Sequence, residues 1–347
     1  MKQFVVIVFI VGLTGYVVWA FANSSRQIKS QAATSTTTET TVSEPKDVVK
    51  EKDPTQLGSV IVLGNIILDN AEYAVPSNNF NKEISDYLQS ADCRIAPIET
   101  PLKGQHQNTS RSNYQEATEK AYDLIDKLNI NIAAIGISHF VDQGNEGLDK
   151  STKWFKDHSI SYSGASNQDG DPYQPAIINC GRLRVGLLSS TDKTNYTDNG
   201  VELALNEKLA TALKTLKAQV DFAIVMTNWG DDASKYVSPY QRDVAHELVD
   251  NGADLVIGNH PQFIQSEEVY KTGLIFYSLG NFLVPNKLSE NQPEGIGVKL
   301  DISAAKVEAN ITPLADTKTN PSPVNDNKPG EYLKSLSIEN WFVSVER

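Results

Sequence analysis

Hydrophobic and polar positions fall into three regimes along the chain. Phe4 to Ala22 is an almost unbroken apolar run. Asn23 to Leu57 holds almost no large apolar residue and includes the stretch Thr34-Ser35-Thr36-Thr37-Thr38-Glu39-Thr40-Thr41. From Gly58 onward, short apolar runs alternate with stripes at helical spacing. Val60-Ile61-Val62-Leu63 reads as a buried strand ending at Gly64. Ala117, Ala121, Leu124, Ile125 and Leu128 recur at the spacing of one helix face. Asn131 to Ile135 predicts a strand, and a helix follows over Gly147 to Lys156. Val185 to Leu188 predicts a strand, and Leu205, Leu209, Ala212, Leu213 and Leu216 a second helical stripe. Asp221 to Met226, Tyr240 to Asp250 and Ala253 to Ile257 then read as strand, helix and strand. Leu274 to Leu279, Ile296 to Ile302 and Lys306 to Ile311 follow in an order closer to hairpins. Thr317 to Gly330 reads as a loop, and Tyr332 to Val345 as a short terminal element. Strands alternating with helices predict an α/β fold with layers on both sides of a sheet.

The first regime is long enough to cross a hydrocarbon core, which takes about 20 apolar residues. Residues 4–22 are therefore expected to be an uncleaved membrane anchor. Ala20-Phe21-Ala22 keeps open the alternative of a cleaved signal peptide. Either way the rest of the chain is expected outside the cytoplasmic membrane. Residues 23–57 read as a disordered Ser/Thr-rich linker, because such a composition cannot bury enough surface to fold. Residues 58–316 form the expected globular domain, and 317–347 a loop with a C-terminal extension.

The 347 residues include 31 basic and 43 acidic side chains, a net charge of −12. Lys2 is the only charge before the linker and the linker is neutral, so the part from Gly58 onward carries −13. That balance argues against a nucleic-acid partner, which needs clustered Lys and Arg. Only Cys93 and Cys180 occur, each in a short apolar run, and they are expected to be two small buried hydrophobes. A disulfide between them is the alternative. No Cys/His cluster of zinc-module spacing is present.

In α/β folds, sites form where strands end. Polar residues directly after predicted strands are Asn65, Glu99, Ser138, His139, Asn228, Asn259, His260 and Asn281. Asn and Ser also mark plain turns, so each alone carries little. Together they form a candidate cleft, with Trp229 either walling it or packing in the core. The pair Asp231-Asp232 reads as a solvated loop, and His246 as a structural or exposed helix residue. No nucleophile elbow, phosphate-binding Gly-rich loop or dinucleotide fingerprint is present.

Around these strand ends the chain resembles the CapA/PgsA family of bacterial capsule and poly-γ-glutamate biogenesis proteins. The likeness runs from about Ser59 to Leu314 and is strongest over Gln241 to Val284. That stretch reads QRDVAHELVDNGADLVIGNHPQ and then LIFYSLGNFLV. Ala91 to Leu102, Gly136 to Gly147, Gly164-Ala165 and Asn228-Trp229-Gly230 are similar to further family segments. The resemblance implies a layered α/β sandwich of calcineurin-like metallophosphoesterase type. It also implies a role in the synthesis, transport or retention of a surface polymer.

The departures from the family pattern lie at the positions that would bind metal. A family Gly-Asp is Gly64-Asn65 here, and the Asn of Asn-Leu-Glu is Pro97, with Glu99 kept. The second Asn of Asn-Asn-His is Ser138, with His139 kept. The His of His-Trp-Gly is Asn228. Gly-His-His-Pro-His is Gly258-Asn259-His260-Pro261-Gln262. A neutral amide is a poor donor to the cations that imidazole and carboxylate hold well. The resemblance thus leaves Glu99, His139 and His260 as metal ligands, Asp142 as an orienter of His139, and His139 as the surviving catalytic candidate. The expected cofactor is none, or a single weakly bound Mn, Fe or Zn. The expected protein is membrane-tethered and non-catalytic or weakly metal-binding. Its expected partners are other polymer-synthesis membrane proteins and a surface polymer. A metal-dependent phosphoesterase acting on the cell envelope is the alternative, and a polymer-binding module a third.

Overall fold

The computed structural model describes residues 55–69, 80–105, 114–166, 171–192, 206–232, 234–284, 295–315, 322–323 and 342–347. All belong to one compact unit, Lys52–Arg347. The proposed membrane segment and nearly all of the linker lie outside the described residues. Among the described residues no helix is long and apolar enough to cross a membrane.

One sheet contains β1 (Gln56–Val62), β3 (Cys93–Pro97), β4 (Ile132–Ala134) and β5 (Ser161–Ser163) in parallel. Beyond β1 it continues antiparallel through β13 (Gly295–Ser303) and β14 (Lys306–Ala315), which carries β15 (Ser322–Pro323) and β16 (Phe342–Glu346). The second sheet has the order β10 (Glu267–Tyr270), β11 (Gly273–Phe276), β9 (Leu255–Asn259), β8 (Phe222–Asn228), β7 (Leu183–Thr191), β6 (Ala176–Cys180). Its four middle strands are parallel and its two edges antiparallel. A small pair, β2 (Asn65–Ile66) with β12 (Asn281–Leu283), joins the ends of the two systems.

The side-chain alternation of a strand explains the layering. Val60 and Val62 face a core shared with Val185, Leu187, Ile224, Met226, Leu255 and Ile257 of the other sheet. Ile61 and Leu63 face the opposite way, toward α1 (Lys82–Gln89), α2 (Glu119–Lys127) and α3 (Gly144–Asp157). Ala223 and Val225 pack outward on α4 (Glu207–Lys217) and α5 (Pro239–Asp250). The result is a four-layer helix–sheet–sheet–helix sandwich. The central parallel strands are buried on both faces and read in sequence as continuous apolar runs, whereas β6, β10 and β14 keep partly exposed positions.

The expected helices and strands over α2 to β9 are present, with shifted bounds. Ala117 bridges to Leu102 ahead of α2, whose N-cap is Thr118. The helix placed at Tyr240 starts at Pro239, because Ser238 and Gln241 form a reciprocal capping box. The short α1 leaves little apolar pattern in the sequence, since it buries only Ile84 and Leu88. Of the terminal element, 332–341 lie outside the described residues. Phe342–Glu346 is a strand on β14, so the extension after 316 completes the first sheet.

Cys93 and Cys180 correct their sequence reading. They are buried, but they are bonded to each other as a disulfide with a Cα–Cα distance of 5.5 Å. Each points into the apolar layer from an adjacent strand edge, β3 in one sheet and β6 in the other, which brings positions 87 apart in sequence within bonding range. Only the packing of the sheets sets that meeting, so sequence spacing does not reveal it.

Gly258 in β9 marks another tight contact. A Cβ there would lie 1.9 Å from the Tyr277 carbonyl oxygen and 2.2 Å from Trp229 Nε1. Two outcomes are expected. Replacing both cysteines by alanine lowers unfolding free energy by roughly 2–4 kcal/mol, measured as a lower thermal midpoint that a reductant reproduces in the native protein. Gly258→Ala costs about 1–3 kcal/mol through overpacking, with loss of the native near-ultraviolet circular dichroism of Trp229.

Candidate functional site

The polar residues foreseen at strand ends gather at the carboxyl ends of the parallel strands, largely as neighbours in the sheet register. Thr191, Asn228 and Asn259 occupy one row across β7, β8 and β9. Residues in one row project to one face, so their side chains meet. Thr191 Oγ1 donates to Asn228 Oδ1 (3.0 Å), and Asn228 Nδ2 donates to Asn259 Oδ1 (2.8 Å). Asn65 and Asn281 are likewise register partners on β2 and β12, with Asn65 Nδ2 donating to Asn281 Oδ1 at 3.2 Å. All four asparagines are buried. Asn281 Nδ2 reaches the Gln262 carbonyl (3.4 Å), which ties this pair to the loop leaving Asn259.

Asn259 Nδ2 has no hydrogen-bond partner among the described residues, and Asn259 is only 3% exposed. Leaving a buried amide donor unsatisfied costs about 1–3 kcal/mol. His260, the next residue, sits at φ +87°, in the left-handed region that a non-glycine residue rarely adopts. Its Nε2 meets Asp232 Oδ1 at 2.5 Å, and the Asp232 carbonyl accepts from Gln262 N (3.0 Å). Asp231 and Asp232 are exposed, as a solvated loop requires, and Asp232 in addition engages His260. Ser278 Oγ holds the Pro261 carbonyl at 2.9 Å. Strain held by so many neighbouring bonds is found mainly at functional sites.

A second network lies on the first sheet. The short 3₁₀ segment Ser138–Val141 follows β4 and brings His139 Nδ1 within 2.7 Å of Asp142 Oδ2. Asp142 is the orienting partner foreseen for His139. Its Oδ2 also accepts from the Gln115 backbone (2.8 Å), while Gln115 Nε2 donates to Glu99 Oε1 (3.1 Å) and Thr100 Oγ1 donates to Gln115 Oε1 (2.6 Å). Gln115 is thus the residue that joins Glu99 to His139. It lies in an aperiodic polar stretch, and no sequence signal marked it. Ser138 is buried at the start of the 3₁₀ segment.

Trp229 corrects its place in the cleft. It is fully buried in the core under β8 and stacks on Tyr277, with Nε1 donating to the Tyr277 carbonyl (2.9 Å). His246 bonds Glu268 Oε1 (2.8 Å) away from the strand ends. Burial, with the Asp192 carboxylate nearby, raises the Tyr240 phenol above its ordinary value. Among the described residues no three His, Cys, Asp or Glu side chains form a group that could hold a metal ion. Glu99, His139 and His260 do not stand together as a ready-made ligand set. A cavity of about 1000 Å³ lies elsewhere, between α3, α4 and the edge strands β5 and β6, and contains none of the strand-end side chains. Buried polar groups with directed bonds mark a site better than volume does, so the strand ends remain the candidate.

A capsule biosynthesis protein, CapA, of Bacillus anthracis is 29% identical over 216 residues, which cover 58% of this chain and 53% of the relative. The chain thus spans about half the length of that relative. A PGA biosynthesis protein, CapA, of Bacillus subtilis (strain 168) is 20% identical over 299 residues, covering 82% and 79% of the two chains. Among solved structures, a phosphatase from Mycoplasma pneumoniae matches with a TM-score of 0.43 at 10% identity, covering 83% of this chain and 92% of its own. That likeness is too loose to carry an argument about chemistry. The family model for the bacterial capsule synthesis protein PGA_cap matches residues 55–286. With well over half of its length matched in this way, across both sheets and the strand-end site, the chain belongs to the bacterial capsule synthesis protein family PGA_cap.

Proposed function

We propose that the protein is a membrane-tethered, extracytoplasmic member of this family that serves capsule or poly-γ-glutamate production without hydrolysing anything. The observation that carries this reading is the pairing of buried amides, Asn65 with Asn281 and Asn228 with Asn259. In the pattern of the resembled family the positions of Asn65, Asn228 and Asn259 carry a carboxylate and two imidazoles, while Asn281 is kept. Two cations about 3.5–4 Å apart need carboxylates to offset their charge. Here the amides satisfy one another, His260 engages Asp232, and Glu99 and His139 belong to the Gln115 network. That donor set does not fit a dinuclear centre, so no catalytic step is assigned to one. The disulfide supports a location outside the cytoplasm, because such bonds persist in oxidising compartments. The apolar run at 4–22 supports a tether, and the acidic body a scaffold that works beside membrane-bound synthesis proteins rather than on nucleic acid. The metallophosphoesterase type of the sandwich is part of this proposal.

A second reading rests on the His139–Asp142 pair. A carboxylate on Nδ1 fixes the tautomer of a histidine and strengthens it as base or ligand. This arrangement supports a reduced phosphoesterase with at most one weakly held Mn, Fe or Zn.

Deletion of the gene is expected to remove the cell-bound polymer, and a chain carrying His139→Ala is expected to restore it. Failure of that variant alone, with folding intact, decides for the second reading. The full chain, purified in detergent, is expected to hold far less than stoichiometric Mn, Fe or Zn and to show no phosphodiesterase activity. Asn65→Asp combined with Asn228→His is expected to raise Mn²⁺ affinity about tenfold or more, since both donors return. Calorimetric titration checks this, and an unchanged affinity contradicts the ligand positions.

A further inference from the structure

The strand ends are not the main recess of this protein. A cavity of about 1000 Å³ opens at the side of the sandwich, where α3, β5, β6 and α4 present their edges. Its apolar lining consists of the buried Ile160 and Leu216 with Pro175, Ile177 and Ala212. Two half-buried tyrosines, Tyr162 and Tyr173, line it as well. A second cavity of about 570 Å³ shares Lys156, Tyr162, Asp171 and Gln174 with the first, so the two form one elongated groove that meets at Tyr162. An apolar and aromatic recess with a few polar groups is the usual form of a small-molecule site.

Both tyrosines are held in place. Asp171 Oδ1 accepts from Tyr173 N (3.0 Å) and its Oδ2 from Gln174 Nε2 (3.1 Å), which fixes the turn that presents Tyr173. Asn206 is the N-cap of α4, where its Oδ1 accepts from Leu209 N (2.8 Å), and its Nδ2 donates to the Tyr173 hydroxyl. Tyr162 rests beside Phe155 with ring centres 6.0 Å apart, and Lys156 Nζ lies 5.8 Å from the Tyr162 ring centre.

The polar lining is rich in acceptors. Thr211 Oγ1 donates to the Glu207 carbonyl (2.7 Å) and Thr215 Oγ1 to the Thr211 carbonyl (2.9 Å), so both hydroxyls keep only lone pairs for a ligand. They stand about 6 Å apart along α4. Gln219 Nε2 donates to the Thr215 carbonyl (3.0 Å), which leaves its Oε1 as a third acceptor. A ligand for this groove has to bring hydrogens. Around the larger cavity Lys156 and Lys208 balance Asp171 and Glu207, so the walls have no net sign. The lysines repel a cation, and the acceptors repel an anion. A peptide backbone brings one N–H per residue together with a carbonyl that finds few donors here. A sugar ring fits both parts of the lining. Its C–H face lies against an aromatic ring, and its edge carries several hydroxyl donors.

The geometry points to this groove as a binding site for a short, uncharged oligosaccharide. Tyr162 and Tyr173 take the faces of sugar rings, and Thr211, Thr215 and Gln219 accept from their hydroxyls. The site shares no residue with the strand ends, and it stands whether or not the protein serves the capsule.

Calorimetric titration of the full chain tests it, in a polyoxyethylene detergent that carries no sugar. Chitotriose, cellotriose and maltotriose are the neutral saccharides. Triglutamate serves as anion, spermidine as cation and blocked trialanine as neutral peptide. At least one trisaccharide is expected to saturate the protein below about 10 mM, and to bind more tightly than the other three probes. Tyr173→Ala is expected to abolish that binding. Thr211→Val combined with Thr215→Val keeps the shape of an exposed helix face, and is expected to weaken it about fivefold or more with an unchanged circular dichroism spectrum. The threonine variant decides if Tyr173→Ala fails to fold. No saturation by any trisaccharide overturns the site. So does tighter binding of triglutamate, spermidine or trialanine. Saccharide affinity unchanged in the threonine variant also overturns it, because the sugar then binds elsewhere on the protein.

Discussion

Each central strand of this protein is covered on both faces by apolar side chains, and that constraint decides where polar chemistry can sit. Val60 and Val62 face the other sheet while Ile61 and Leu63 face helices, and the same alternation runs through Ala223 to Met226. A polar side chain in the middle of such a strand would lose its water without a partner, at a cost of a few kcal/mol. Only the last residue of a strand escapes both layers. The buried Asn228 and Asn259 are the last residues of β8 and β9, and the buried Asn65 and Asn281 open the short strands β2 and β12.

The same constraint explains the pairing of the amides. Parallel strands in register bring matching residues side by side, the last of β8 and β9 and the first of β2 and β12, so one asparagine meets another. An amide carries both donor and acceptor and can satisfy a like neighbour. Two carboxylates in those places would repel each other and call for a cation. Direct hydrogen bonds between amides therefore hold these strand ends together. The arrangement leaves one donor over, on Asn259.

The disulfide acts on a different link of the chain from sequence to function. It joins β3 to β6 across the layer that both sheets share, where apolar packing already holds them. Its contribution is chiefly to limit the unfolded chain by closing a long loop. It also fixes the two sheets, and hence the strand ends that each presents.

The apolar runs and helical stripes by themselves marked the longer elements, β1, β3, β4, β7, β8, β9, β11, β13 and β14 with α2 to α5, because local alternation and periodicity are properties of neighbouring residues, while α1 and the short strands β2, β5, β6, β10 and β12 carry no such signal. The strand-end motifs pointed to the family and marked Asn65, Asn228, Asn259, Asn281, Glu99 and His139 as candidates for a site. Other features were settled by residues far apart in sequence. Register alone paired Asn228 with Asn259, and sheet packing alone joined Cys93 to Cys180. Gln115 reached Glu99 and Asp142 from a loop without periodicity, and Trp229 left the cleft for the core because Gly258 gave it room beneath Tyr277. Such contacts depend on where the backbone returns in space, and no local pattern encodes that.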